Sequence, residues 1–341
     1  MKKCIFFLAC LLYTGFTLAQ AKKSIKNTVP VKEIPVIAPV PPSSGNDEQV
    51  PIVMPASDMI NISATKKNGA PLSISKPEEL TQLDLSQLQT LSITTRLSDK
   101  ILDHKLLRQI MEEATALELL EIDHFIIEAF PDLKTPHRHL KKLVLNYNKL
   151  KALPSSIANL TALETLHSAN PLTELPASFA TLKNMKELGL YNTEFSTFPA
   201  VLFSLNKLSI LYISGTIKGN TKIKELPDSF QQLPELKELG ITYAALSTLP
   251  ASIGQLKYLN KVNFSNNRFT EFPAALASNT RLEFVPFSAN PLKWNEFLAS
   301  VKKIKWHGLF FLNETGLSRQ QYETVQKILN KTDVYYDGMN D

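Results

Sequence analysis

The sequence predicts a repeat solenoid, built from strand-and-turn units stacked one upon the next. Three observations carry that expectation. A Leu-x-x-Leu-x-Leu pattern opens at Leu88, Leu117, Leu140, Leu163, Met185, Leu208, Leu236, Leu259 and Leu282, and more loosely at Trp306. The steps between these starts are 29, 23, 23, 22, 23, 28, 23, 23 and 24 residues. Six Leu-Pro or Phe-Pro pairs hold the same phase, ending at Pro154, Pro176, Pro199, Pro227, Pro250 and Pro273, with Val285-Pro286 an out-of-phase seventh.

Each part of the unit has a physical reason. The two leucines of Leu-x-Leu are two apart, so on a strand they share one face while the residue between them faces the other way. That sets a leucine stripe inward and a variable stripe outward. A position just after the strand holds Asn148, Thr193, Thr216, Ala244, Asn267 and Asn290. A buried amide there can satisfy backbone groups of neighbouring turns, which Ala244 cannot do. Proline then ends the strand and turns the chain to the far side, because it neither extends a ladder nor donates. Units of 23 residues leave room there only for 3₁₀ or irregular turns. One unit buries little alone, and stacking supplies the core.

The ends differ. Residues 59–87 read as an entry cap whose helix starts at Ser75-Lys76-Pro77-Glu78-Glu79, with Ser75 as cap, Pro77 in the first turn and acids at the positive end of the dipole. Ile101, Leu102, Leu106, Leu107, Ile110 and Met111 recur at helical spacing, which predicts an amphipathic helix in the first long unit. Helices are expected over 294–304 and 317–329, around a strand at 309–312, with a last strand at 334–336. Ser168 occupies a core leucine position in a unit one residue short, Pro286 falls mid-strand, and 217–222 is an insertion expected to loop out.

The most regular copy runs Leu140-Lys-Lys-Leu143-Val-Leu145-Asn-Tyr-Asn148-Lys-Leu150, followed by Leu153-Pro154-Ser-Ser-Ile157. It resembles the leucine-rich-repeat family, over roughly residues 88–336, and in particular the short Leu-Pro variety found in bacteria and in plant and animal intracellular scaffolds. The resemblance implies an α/β horseshoe with a parallel sheet on its concave side, short turns or helices on its convex side, and helical caps at both ends. It also implies a binding module rather than an enzyme. The resulting division is 1–21 signal peptide, 22–58 proline-rich linker, 59–87 cap, 88–305 repeats, and 306–341 last repeat and C-terminal cap.

Residues 1–21 read as a secretory signal. Lys2 and Lys3 precede an apolar run over 5–18, and Ala19-Gln20-Ala21 or Thr17-Leu18-Ala19 offers a cleavage site. Export by the general secretory route is expected, to a periplasm, a cell surface or the medium. Leu8-Ala9-Cys10 stands too early for lipoprotein anchoring at Cys10. Residues 22–58 carry Pro30, Pro35, Pro39, Pro41, Pro42, Pro51 and Pro55, a composition that favours a disordered polyproline spacer or a stalk reaching on the order of 100 Å.

Several chemistries are excluded by residue type. Both cysteines, Cys4 and Cys10, lie in the expected signal, so the mature chain has no thiol nucleophile, disulfide or Cys-based zinc site. No Gly-x-Ser-x-Gly elbow and no glycine-rich phosphate loop occurs. His137-Arg138-His139 lacks a third metal ligand and reads as a polar loop, and His124 beside Asp123 reads as a surface pair. The net charge of +5 becomes +3 without Lys2 and Lys3, which provides no nucleic-acid footprint. No cofactor or metal is expected.

The outward stripe is the candidate site. It brings Tyr147, His167, Tyr191, Asn192, Tyr212, Thr242, Tyr243, Asn263 and Asn266 to the concave face. Tyrosine combines a large contact area with a hydroxyl at low entropic cost. Gly189, Gly215 and Gly240 are expected to leave shallow pits between them. The expected partner is a protein or peptide, with a glycan as the alternative.

Overall fold

The computed structural model describes residues 60–97, 99–217 and 222–336. The expected signal, the whole of the proline-rich linker and most of the 217–222 insertion lie outside the described residues. Among the described residues thirteen strands form one sheet. Strands β1 (Ile60–Lys66) and β2 (Pro71–Leu72) make an antiparallel hairpin. Then come β3 (Leu88–Thr95), β4 (Leu119–Asp123), β5 (Lys142–Asn146), β6 (Thr165–Ala169) and β7 (Glu187–Thr193). The series continues with β8 (Ile210–Gly215), β9 (Glu238–Thr242), β10 (Lys261–Asn263), β11 (Phe284–Pro286), β12 (Leu309–Phe311) and β13 (Asp333–Tyr335). From β3 to β13 each strand pairs in parallel with the next in sequence.

The register follows the leucines. Leu120, Leu143, Leu166, Leu188, Leu211, Leu239 and Val262 stand opposite one another across the sheet, and each is at most 1% exposed. Each fully buried aliphatic side chain contributes about 1.5–3 kcal/mol, so the stacked core outweighs the weak preferences of the individual short strands. Phenylalanine takes over towards the C-terminal end, where Phe264, Phe269, Phe272, Phe287 and Phe310 are buried with Trp306.

Proline sets the far side as expected. Directly after Pro154, Pro176, Pro199 and Pro250 come 3₁₀ turns at Ser155–Asn159, Ala177–Thr181, Ala200–Ser204 and Ala251–Gln255. Full α-helices occur towards the ends: α1 (His104–Glu113), capped by the Asp103 carboxylate, then α2 (Ala274–Ala277), α3 (Trp294–Val301) and α4 (Arg319–Ile328). Pro286 sits in β11 without an N–H to give, but its carbonyl still accepts from Phe264 N–H at 3.0 Å.

The buried polar ladder contains a residue that the sequence reading passed over. Asn170 Oδ1 accepts from the N–H groups of Asn148 and Leu150, at 2.8 and 3.2 Å, and its Nδ2 donates to the Leu145 carbonyl at 2.8 Å and to Ser168 Oγ at 3.0 Å. Ser168 is thus a fully buried hydroxyl in a leucine position, tied down by that amide. Asn267 and Asn290 repeat the arrangement, bonding Leu246 N–H and Phe269 N–H at 3.1 and 3.2 Å.

The N-terminal cap differs from expectation. Its outermost part is the β1–β2 hairpin, with β1 antiparallel to β3, and its helical part is a 3₁₀ helix at Pro77–Gln82. Ser75 does not cap that helix through its hydroxyl; instead its N–H donates to the Glu79 carboxylate at 3.1 Å. The alternation of Ile60, Ile62 and Ala64, followed by Asn68-Gly69 at the turn, is the hairpin's signature in the sequence.

Candidate functional site

The outward residues of successive strands form continuous lanes. One lane runs Ser92, Glu121, Val144, His167, Gly189, Tyr212, Gly240 and Asn263. Beside it runs Lys142, Thr165, Glu187, Ile210, Glu238, Lys261 and Phe284, and on the other side Thr94, Asp123, Asn146, Ala169 and Tyr191. Polar groups bond along and between the lanes. His167 Nε2 meets Glu187 Oε1 at 2.8 Å, and this contact holds the Glu187 carboxyl below its ordinary range. Glu238 accepts from Tyr212 OH at 3.1 Å and from Lys261 Nζ at 2.6 Å. Thr242 donates to Ser214 at 3.0 Å.

The glycines are not open pits. A Cβ built on Gly189 falls 2.6 Å from Tyr191 Cε2, and one on Gly240 collides with the Tyr212 ring. Each tyrosine therefore lies flat in the space a neighbouring glycine leaves. Gly215 is buried as well. Burial, with the Glu238 and Glu187 carboxylates nearby, pushes both phenols well above their ordinary range, so Tyr191 and Tyr212 act as neutral hydrogen-bonding groups.

A second row follows the strand ends. His124, Tyr147, Asn192, Tyr243, Asn266, Ala289 and Glu314 all have positive φ, from 50° to 62°. Each immediately precedes the position that holds the buried asparagine in the regular units. Asparagine tolerates this left-handed geometry; the other side chains carry a strain of about 1–2 kcal/mol. Within the row, the rings of His124 and Tyr147 stack at 4.4 Å and 27°.

No family model matches the chain. Over 223 residues it is 26% identical to a volume-regulated anion channel subunit of Homo sapiens, a match that takes in 63% of this chain and 26% of that one. A leucine-rich-repeat protein of Leptospira interrogans, of solved structure, is 25% identical with a TM-score of 0.51, covering 67% of this chain and 62% of that one. The chain is a leucine-rich-repeat protein. An internalin of Listeria monocytogenes shares the fold at 18% identity and a TM-score of 0.51, over 79% of this chain and 84% of that one. The chain spans about a quarter of the length of the channel subunit it matches.

In this leucine-rich-repeat protein the nine residues expected in the site fall into two groups. His167, Tyr191, Tyr212, Thr242 and Asn263 lie in the lanes of the sheet. Tyr147, Asn192, Tyr243 and Asn266 lie on the left-handed rim at the strand ends. Tyr147 is 48% exposed, whereas Asn263 Oδ1 accepts from Ser265 N–H at 3.1 Å and is partly committed to its own strand end. Two aromatic residues were not foreseen. Phe311 and Tyr335 extend from Phe284 as a ring stack with centroids 5.1 and 4.9 Å apart, at the C-terminal end of the same face. Their signal is aromatic residues on the last two short strands.

The two histidine motifs resolve differently. His137 is not in a solvated loop but 6% exposed, and burial pushes its pKa down against the opposing pull of the Ala114 carbonyl. His124 and Asp123 do pair, Nδ1 to Oδ1 at 2.8 Å. Among the described residues no group of three His, Cys, Asp or Glu is placed to hold a metal ion. Nor, among them, is any helix long and apolar enough to cross a membrane.

Proposed function

We propose that this leucine-rich-repeat protein is an exported, non-catalytic interaction module that holds a protein or peptide segment along the concave face of its sheet. The supporting observation is the pair of features on that face: lanes of hydrogen-bonded polar and aromatic side chains, and a row of left-handed residues at the strand ends beside them. Side chains borne on strands of one ladder are fixed by the backbone, which lowers the ordering cost of binding. Tyr147, Asn192, Tyr243 and Asn266 on the rim make the outer contacts. His167, Tyr191, Tyr212, Thr242 and Asn263 form the floor.

The test is affinity capture from envelope and medium fractions, with the wild type and a Tyr147→Ala/Tyr243→Ala variant as baits. Rim positions are chosen because Tyr191 and Tyr212 also fill space against glycines, so their removal confuses folding with binding. Circular dichroism first establishes that the variant folds. A protein retained by the wild type and lost by the variant supports the reading. Equal retention by both moves the contact to the convex turns and overturns it. Loss confined to a glycan ligand assigns the same face to carbohydrate instead.

A further inference from the structure

The outward face of the sheet differs in charge from the chain as a whole. The chain carries +5, or +3 without Lys2 and Lys3 of the expected signal. The lanes hold Lys142 and Lys261 against Glu121, Asp123, Glu187, Glu238 and, on β13, Asp333, two cations against five carboxylates, a net of −3. Of these carboxylates, Glu187 meets His167 and Glu238 meets Lys261. Glu121 and Asp123 have no lysine or arginine within ion-pair distance among the described residues. Glu121 accepts from the Ser92 hydroxyl at 2.8 Å, and Asp123 meets only the imidazole of His124.

Glu121 and Asp123 are two apart on β4 and so share the outward face. Burial holds the Asp123 carboxyl above its ordinary range, and the Glu121 charge adds to that effect. The Tyr147 ring, 48% exposed, lies stacked on His124, the residue whose imidazole meets Asp123. Carboxylates beside an exposed aromatic ring receive a guanidinium or ammonium group through both ion pairing and cation–π attraction.

Resting on the concave-face reading above, we propose that the occupant is a basic extended segment, and that one of its Arg or Lys side chains seats against Glu121, Asp123 and the ring of Tyr147. Charge complementarity selects this class: the negative face lies on a positively charged chain, so a polycation is attracted to the sheet and repelled elsewhere. An acidic or phosphorylated segment meets the opposite balance.

The test uses fluorescence anisotropy of a fluorescein-labelled hexa-arginine peptide with the purified protein, at an ionic strength of about 0.15 M, where exposed charges more than ~8 Å apart are largely screened. The carboxylate variants are isosteric. Glu121→Gln/Asp123→Asn is expected to weaken binding about tenfold, and Tyr147→Ala by several-fold. Glu128→Gln/Glu235→Gln, which removes two exposed carboxylates outside the strands, is expected to change it less than about twofold. Equal weakening by both double variants marks diffuse attraction and overturns the proposal. So does absence of hexa-arginine binding to the wild type. If hexa-arginine fails while affinity capture still depends on Tyr147 and Tyr243, the concave-face reading stands and only the basic occupant falls.

Discussion

At the scale of single residues, the site is shaped by pairs that a sequence does not display side by side. Gly240 accommodates Tyr212 from the neighbouring strand, while Gly189 accommodates Tyr191 from its own. The two glycines are not equivalent. A Cβ at Gly189 meets the far end of the Tyr191 ring, which can swing, whereas one at Gly240 meets ring atoms close to the Tyr212 backbone. Gly240→Ala is therefore expected to cost about 1–3 kcal/mol and Gly189→Ala less. Urea unfolding curves of the two variants compare them directly, and equal midpoints refute the packing described.

Two titratable groups make stability depend on pH in separate windows, one buried and one half-exposed. Burial lowers the pKa of His137 in the folded chain below the ordinary 6.5. The unfolded chain then binds a proton first, so the contribution is complete above about 6.5 and is lost as pH falls through the folded value. Glu187 is also depressed, through its bond to His167, from an ordinary value of 4.5. Its contribution is present above that value and is lost only at lower pH. Replacing His137 by Leu is expected to flatten the melting temperature between about pH 5 and 7 while leaving the more acidic decline in place. Calorimetry across that range checks it, and an unchanged slope there removes His137 as the cause.

At the scale of the repeat, the asparagine ladder divides strong from weak units. Asn267 gives and accepts bonds to Ile241, Phe264 and Leu246, and is 6% exposed. Asn267→Ala leaves those buried groups unpaired and is expected to cost about 2–4 kcal/mol. Thr193→Ala removes the hydroxyl that donates to the Ser214 carbonyl at 3.2 Å and is expected to cost about 1 kcal/mol. Chemical denaturation ranks them; a larger loss at Thr193 contradicts the ladder as the main polar support.

This scale also shows what was legible. Strand positions and proline turns could be read because hydrophobic phase and the missing N–H act locally, at every copy. Asn170 was missed because its unit is a residue short, although Ser168-Ala-Asn-Pro-Leu172 recurs intact as Ser288-Ala-Asn-Pro-Leu292. Ala289 is left-handed in the full-length copy, while Ala169 lies within β6 in the short one, so the deletion removes one residue of the rim. The left-handed rim itself was not legible, because Tyr, His, Ala and Glu stand there as well as Asn and the conformation is imposed by the turn. For the same reason the candidate list merged rim and floor residues that the backbone separates.

At the scale of the whole sheet, the decisive problem is its two edges, since an unpaired strand is a template for another chain. On the N-terminal side the sheet ends in a two-residue strand that contains Pro71, which has no N–H to offer. On the other side it ends at β13, whose Asp333 N–H and Tyr335 carbonyl bond inward to Gly308 and Leu312. The Thr332 carbonyl and Val334 N–H therefore point outward. One side chain satisfies both: Gln326 of α4 donates to Thr332 O at 2.8 Å and accepts from Val334 N–H at 3.0 Å. An amide spanning a carbonyl and the N–H two residues on reproduces what one residue of a further parallel strand supplies. Gln326→Leu keeps much of the side-chain volume but removes that mimicry, leaving two edge groups open. The expected outcome is concentration-dependent self-association with a loss of about 1–3 kcal/mol in stability. Sedimentation velocity over a range of concentrations detects the former and denaturant unfolding the latter. A Gln326→Leu variant that stays monomeric at every concentration, with unaltered stability, shows that β13 needs no such cover and that its shortness alone protects the edge.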